Sequence, residues 1–237
     1  MTLVVLIIII IFGGLAYWLF MSPYSQVFGR YPYRVKTREK IIALTLDDGP
    51  NEPYTSDLAD FLKDRGVKAT FFEVGECVQR HPETSRRLLA DGHVIANHSV
   101  SHEFRRYFEQ VNFAEQVEHN QDIIEGVIGK RPALYRSPWL WRQPWLFATL
   151  RRNGLQPVSG TFCHVFEVAQ IPAARIAKRA LAHAKPGAII IFHDGVEGKG
   201  GNRAETIAAV KIFVDTLLAE GYQFVTVDKL LDVPAYR

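Results

Sequence analysis

Apolar and polar positions divide the chain into two unequal parts. Residues 2–21, TLVVLIIIIIFGGLAYWLFM, hold no charged side chain. At about 1.5 Å rise per residue, such a helix spans a hydrocarbon core of about 30 Å. Tyr17 and Trp18 fall near its end, where interfacial aromatics sit. The pattern predicts a transmembrane anchor over residues 1–22. A signal peptide is the competing reading, although no basic stretch precedes the run and no clear small-x-small cleavage site stands before Ser22. Residues 23–40 are polar, aromatic and proline-bearing and read as a linker into the domain that occupies 41–237.

From Ile41 onward, short apolar runs alternate with helical patterns. Strands are predicted at Ile41–Leu46, Ala69–Val74, Val94–Asn97, Leu134–Arg136, Gln156–Ser159, Ala188–Phe192 and Phe224–Val227. Helices are predicted at Tyr54–Arg65, Pro82–Asp91, Phe113–Ile128, Pro144–Asn153, Pro172–Ala184 and Ala204–Glu220. Pro82, Pro144 and Pro172 stand where helices open, and Gly66, Gly92, Gly129, Gly154 and Gly221 follow helical segments. Repeated strand–helix alternation predicts an α/β fold of parallel strands with right-handed crossovers. A closed or nearly closed barrel is the first expectation and an open doubly wound sheet the second.

Composition narrows the class without naming it. With 237 residues, 48% hydrophobic and 22% charged, the chain is globular rather than disordered. A net charge of +3, evenly spread, gives no footprint for nucleic acid. Cys77 and Cys163 show no metal-binding spacing and read as two separate buried thiols, with a disulfide left open.

Chemistry gathers where the strands end. Asp47 and Asp48 cannot both point inward while a strand continues, but Gly49-Pro50 ends it at once and lets the backbone turn. Two solvated acids in a capped turn are the plainer alternative. His98 and His102, four residues apart after a short strand, can reach one ion; unrelated core or surface histidines give the same pattern. Arg136 at a strand end needs an acid partner if buried. Either it forms a surface salt bridge, or it fixes Asp47 and favours its carboxylate form. Ala188–Phe192 is wholly apolar and breaks into His193-Asp194-Gly195. His193 is a satisfied core histidine or the general acid that the other groups lack.

The ordered set TLDDGP, HSVSH, RSPW and FHDG resembles the polysaccharide deacetylase (NodB-homology) family, carbohydrate esterase family 4, over most of 41–227. The resemblance implies a distorted (β/α)7-type barrel holding a divalent metal, often zinc, with cobalt, nickel, manganese or iron as alternatives. It implies Asp48, His98 and His102 as metal ligands, Asp47 as catalytic base, Arg136 as the group orienting that base, and His193 as catalytic acid. It also implies that the Trp139 backbone N–H helps hold the oxyanion. One departure stands out. Many members carry an acid and a tryptophan after the fifth strand, the acid tuning the catalytic histidine. Here that segment reads Pro157-Val158-Ser159-Gly160-Thr161-Phe162-Cys163-His164, with no acid before Glu167. Phe162 and His164 are the candidates for the pocket wall.

These features predict hydrolytic removal of an N-acyl group from an amino sugar, and the apolar segment suggests a cell-envelope glycan. Deacylation or deformylation of a lipid-linked amino sugar is the alternative within the same chemistry. A membrane-tethered glycan-binding module without activity is the alternative outside it, motivated by the missing acid. An iron(II) oxygenase also uses two histidines and a carboxylate, but needs neither a second adjacent acid nor a distant histidine. An extracytoplasmic catalytic domain is expected from the substrate, whereas Arg30, Arg34, Lys36, Arg38 and Lys40 after the anchor argue for the opposite orientation.

Overall fold

A computed structural model describes residues 2–237. Its centre is β1 (Ile41–Asp47), in which every residue after Ile41 is buried, as a parallel strand covered on both faces requires. Around it follow α2 (Tyr54–Asp64), β2 (Thr70–Glu73), α3 (Gly75–Arg80), α4 (Pro82–Ala90), β3 (Val94–Asn97), α5 (Gln110–Ile128) and β4 (Leu134–Tyr135). Then come α6 (Leu146–Arg152), β5 (Gln156–Pro157), β6 (Thr161–Phe162), α7 (Ala173–His183), β7 (Ile189–His193), α8 (Ala204–Ala219), β8 (Gln223–Phe224) and α9 (Val227–Leu231). The apolar N-terminal run is one helix, α1 (Thr2–Phe20).

The strands are all parallel, in the order β5-β4-β3-β2-β1-β7-β6, with β8 beside the start of β1. β5 and β6 are nearly consecutive in sequence yet stand at opposite ends of this path, so the sheet curls into a barrel that does not zip shut. Arg136 reveals the curl. It leaves the end of β4, crosses the interior and bonds Thr45 on β1, three strands away, and its guanidinium also bonds the carbonyls of Val158 and Ser159 in the seam between β5 and β6. The expected closed or nearly closed α/β barrel is found as a curled parallel barrel left open between β5 and β6.

Period-two alternation sorts each strand into two cores. Leu44, Leu46, Ile190 and Phe192 face outward into the cluster with α2, α7 and α8, while Ala43 and Ile189 face the barrel interior with Phe72, Ala96 and Leu134. The same parity carries Asp47, His98, Arg136 and His193 to the interior side at the carboxyl ends of four strands. Val227 and Leu230 of α9 plug the opposite end.

Several boundaries differ from the sequence pattern for local reasons. The strand expected at Phe224–Val227 is only Gln223–Phe224, because β2 takes over the same edge of β1 from Thr45, and Val227 already begins α9. The strand expected at Gln156–Ser159 is only Gln156–Pro157, and a separate short strand, β6, follows at Thr161–Phe162. The six-residue α3 was too short to show a period. Cys77 and Cys163 are both free and buried, as two separate thiols.

Residues 22–35 are packed rather than loose. Tyr31 is fully buried and its hydroxyl accepts the Ser137 N–H at 3.0 Å. Ser159 donates its N–H to Pro32 O at 2.7 Å and its hydroxyl to Pro23 O at 2.8 Å, so this segment covers the open seam. The end of α1 is fixed too. Phe20 O accepts the Arg142 N–H at 2.9 Å, and the Phe20 ring stacks on Phe28 and Trp141.

Gly195 lies where the ends of β7 and β1 meet, and a Cβ there would sit 2.2 Å from the Asp48 carbonyl oxygen. Gly195→Ala is expected to destabilise the fold by about 1–3 kcal/mol, since backbone rather than a flexible side chain must move. Thermal denaturation checks this, and an unchanged midpoint would contradict the packing described.

Candidate metal and catalytic site

β1 ends with two carboxylates, and only the first obeys strand parity. Asp48 reaches the same side by leaving the strand, with φ at +75°, a left-handed conformation that aspartate tolerates better than most residues. Its Oδ2 accepts the Glu197 N–H at 2.9 Å, which fixes the carboxylate plane. Its Oδ1 is buried and has no hydrogen-bond donor among the described residues. Instead it faces His98 Nε2 at 3.2 Å and His102 Nε2 at 3.3 Å.

That arrangement fits a metal ion. Three ligand atoms, one each from Asp48, His98 and His102, lie within 4.8 Å of one another. Two ligands about 2.0–2.1 Å from a tetrahedral ion stand about 3.3 Å apart, which matches both Asp–His separations. The far nitrogen of His98, Nδ1, lies 2.8 Å from the Arg136 carbonyl. A carbonyl can only accept, so the proton is on Nδ1 and the Nε2 lone pair points at the site.

Protonation states agree with the geometry. Burial alone would raise the Asp48 carboxyl, but the neighbouring imidazoles of His102 and His98 and the charge of His193 hold it well below the usual carboxylate range. Burial pulls His102 down to about 4, against the opposing pull of Asp48. At neutral pH the carboxylate is therefore ionised and the His102 imidazole neutral, the forms that bind a cation. As pH falls, His102 charges first and keeps Asp48 ionised still lower.

Asp47 flanks this trio. Its Oδ1 accepts a 2.6 Å charge-assisted bond from Arg136 Nη1, and that nitrogen also donates to Thr45 Oγ1 at 2.8 Å. Arg136 is fully buried, with its guanidinium carbon 4.0 Å from the centroid of the Phe72 ring. The surface salt-bridge alternative is thereby excluded, as are two solvated acids, since Asp47 and Asp48 are both buried.

His193 is paired in register with Asp47 on the neighbouring strand, and its Nδ1 is 2.7 Å from Glu167 Oε2. Glu167 is itself buried and accepts from Thr206 Oγ1 at 2.6 Å, with Arg203 Nη1 3.7 Å from the same oxygen. Burial opposes a charge on His193, but Glu167 outweighs it, with help from Asp48 and Asp47, and lifts the ring to about 9. Glu167 is the acid that the fifth-strand segment lacked. Its spacing hid it: the chain must pass β6 and a loop before the carboxylate returns beneath the histidine. The sequence signal was only that it is the first acid after that segment.

Asp47, Asp48, His98, His102 and His193 open into one cavity of about 330 Å³, in the range of small-ligand sites. Phe162 and His164 both line its wall, and the Phe162 ring lies parallel to that of His193 at 6.2 Å. Trp139 packs edge-on against His102 at 4.1 Å. Its backbone is left-handed, with φ at +52°, and no hydrogen bond among the described residues occupies its N–H. Asp194, by contrast, turns away from the cavity. Its buried carboxyl accepts from Thr55 Oγ1, and burial raises it to about 7.

Comparison with known proteins places this geometry. A family model described as polysaccharide deacetylase matches residues 34–158. A peptidoglycan-N-acetylglucosamine deacetylase of Bacillus cereus is 32% identical over 204 residues, covering 86% of this chain and 93% of the relative. The peptidoglycan-N-acetylmuramic acid deacetylase PdaC of Bacillus subtilis is 34% identical over 203 residues, or 86% of this chain but 41% of that longer protein. A solved structure of PdaC superposes with a TM-score of 0.71 at 32% identity, over 84% of this chain and 93% of that one. The Bc1960 peptidoglycan N-acetylglucosamine deacetylase shares the fold with a TM-score of 0.80 at 24% identity, over 87% of this chain and 95% of that one. The chain belongs to the polysaccharide deacetylase family, as a hydrolase acting on carbon–nitrogen bonds.

Proposed function

We propose that this protein removes the N-acetyl group from an amino sugar of the cell envelope by metal-assisted hydrolysis. One observation carries the reading: Asp48, His98 and His102 converge on a single point, with Asp47 held by Arg136 and His193 held by Glu167 beside them. The names of the relatives, deacetylases of peptidoglycan and of chitooligosaccharides, support an N-acetylated glycan as substrate.

Asp48, His98 and His102 would hold a divalent ion, with zinc favoured by two imidazoles and one carboxylate. Such an ion supplies Lewis acidity to the amide carbonyl and makes a water nucleophilic at neutral pH. Asp47 takes the proton of the attacking water as its oxygen bonds to the acyl carbon. The Trp139 N–H donates to the developing oxyanion, a contact typically worth about 3–4 kcal/mol. His193, charged because Glu167 lies behind it, gives its proton to the nitrogen as the C–N bond breaks. Free amine and acetate leave. The binding-module alternative loses its motive, because Glu167 occupies the place of the missing acid.

The apolar helix is proposed to be a retained membrane anchor. Its last residue is built into the domain through the Phe20–Arg142 bond and the stack on Phe28 and Trp141, contacts that removal of a leader would destroy. Intact-mass measurement of the membrane fraction is expected to find residues 1–21 still attached; a mature chain beginning near Ser22 would refute the anchor.

Purified full-length protein given zinc is expected to release acetate from N-acetylated chito-oligosaccharides or glycan fragments. Asp47→Asn should keep stoichiometric zinc yet lose turnover by about two orders of magnitude or more, and His98→Ala should lose the zinc itself. Zinc retention with unchanged turnover in Asp47→Asn would remove it as the base.

The His193–Glu167 pair also fixes a pH response. The folded pKa of His193 is raised from 6.5 to about 9. Its stabilising contribution is therefore complete below about 6.5 and is lost as pH rises through about 9. Glu167→Gln is expected to move the ring's titration downward in metal-free protein, read by imidazole NMR, and to shift the alkaline limb of turnover to lower pH. An unmoved titration would show that Glu167 does not sustain the charge.

A further inference from the structure

The cavity that holds the site is walled partly by the N-terminal helix. Tyr17 and Met21, one turn apart at the end of α1, line it together with Asp48 and His102. A helix of 19 residues is about 28 Å long, against a hydrocarbon core of about 30 Å. When α1 spans a bilayer, its last turn marks the interface, and the cavity mouth stands within about one turn of it. Contacts at Phe20 clamp the helix to the domain, so this placement is not left to a flexible tether.

The rest of the rim suits the same surroundings. On one side, Phe104 and Phe108 are exposed and flank exposed Arg105 and Arg106. On the other, Val165, Phe166 and Val168 are exposed at 79%, 64% and 53%, unusual for three apolar residues so close together in a soluble loop. Apolar side chains beside arginines are the composition of surfaces that lie in a headgroup layer. An aromatic path joins the end of α1 to His102. Phe20 stacks on Trp141 at 5.4 Å, Trp141 meets Phe104 at 5.3 Å, Phe104 meets Trp139 at 5.0 Å, and Trp139 meets His102 at 4.1 Å.

We propose that this rim is seated on the bilayer surface and that the site acts on an N-acylated amino sugar carried by a lipid, presented from the membrane rather than from a soluble or distant polymer. The inference rests on the deacetylase reading above and adds the substrate's carrier. The lipid tail stays in the bilayer beside α1, and the sugar rises along the aromatic path until its N-acyl group reaches Asp47 and His193.

The test uses zinc-loaded full-length protein in vesicles of phosphatidylcholine and phosphatidylglycerol. Two probes share one sugar: a long-chain alkyl N-acetylglucosaminide dispersed in the vesicle, and a soluble N-acetylated chito-oligosaccharide. Acetate release is expected to be at least about tenfold faster from the membrane-borne probe. The double variant Phe108→Ser, Phe166→Ser, which alters exposed rim residues outside the cavity lining, should slow that probe about fivefold or more and leave the soluble one unchanged. Equal or faster turnover of the soluble probe would overturn the inference while leaving the deacetylase reading intact. A double variant that slows both probes alike, or neither, would overturn it as well. No acetate from either probe would defeat the deacetylase reading itself, and the lipid-linked substrate with it.

Discussion

Arg136 is the constraint on which the site depends. A fully buried guanidinium is costly, by several kcal/mol, unless its donors are matched. Here Asp47, Thr45, Val158 and Ser159 receive its hydrogen bonds, and the face of Phe72 lies against its plane. Those partners come from β1 and from the β5–β6 connection at the unzipped seam, so one side chain ties the barrel where backbone pairing stops. Its carbonyl meanwhile sets the tautomer of His98. Barrel closure, the orientation of the Asp47 carboxylate and the lone pair of His98 thus share one residue.

The site divides its charges by the same local logic. Asp48 is kept anionic and His102 neutral on one side of the cavity, while Glu167 keeps His193 cationic on the other. Burial and Asp48 leave His102 at about 4 while His193 is lifted to about 9, although both are largely buried and line one cavity. Burial lowers both; only His193 has a carboxylate hydrogen-bonded to its far nitrogen. A carboxylate and a charged imidazole can therefore stand in one cavity at neutral pH, the pairing that acid–base chemistry uses.

Much of this was legible in the chain, and the legible part has a physical reason. Strand periodicity of two puts Asp47, His98, Arg136 and His193 on the inner face with no knowledge of loops, and Gly49-Pro50 announces the turn that lets Asp48 join them. What was hidden depends on tertiary return. Glu167 reaches His193 only after β6 and a loop whose path no local pattern dictates, and Thr206 and Arg203 approach from the start of α8. The packing of residues 22–35 was equally hidden. Their polar and proline-rich composition reads as a linker, yet it is the carbonyls of Pro23 and Pro32 that meet Ser159 at the seam. Short elements such as α3 and the split between β5 and β6 carry too few residues to declare a period.

The proposed function turns on one divalent ion held by Asp48, His98 and His102. Anomalous diffraction at the zinc edge, from crystals of zinc-loaded protein, tests it most directly. A single peak about 2.0–2.2 Å from Asp48 Oδ1 and from both Nε2 atoms is the result predicted. A peak elsewhere on the protein, or none with zinc in excess, would contradict it.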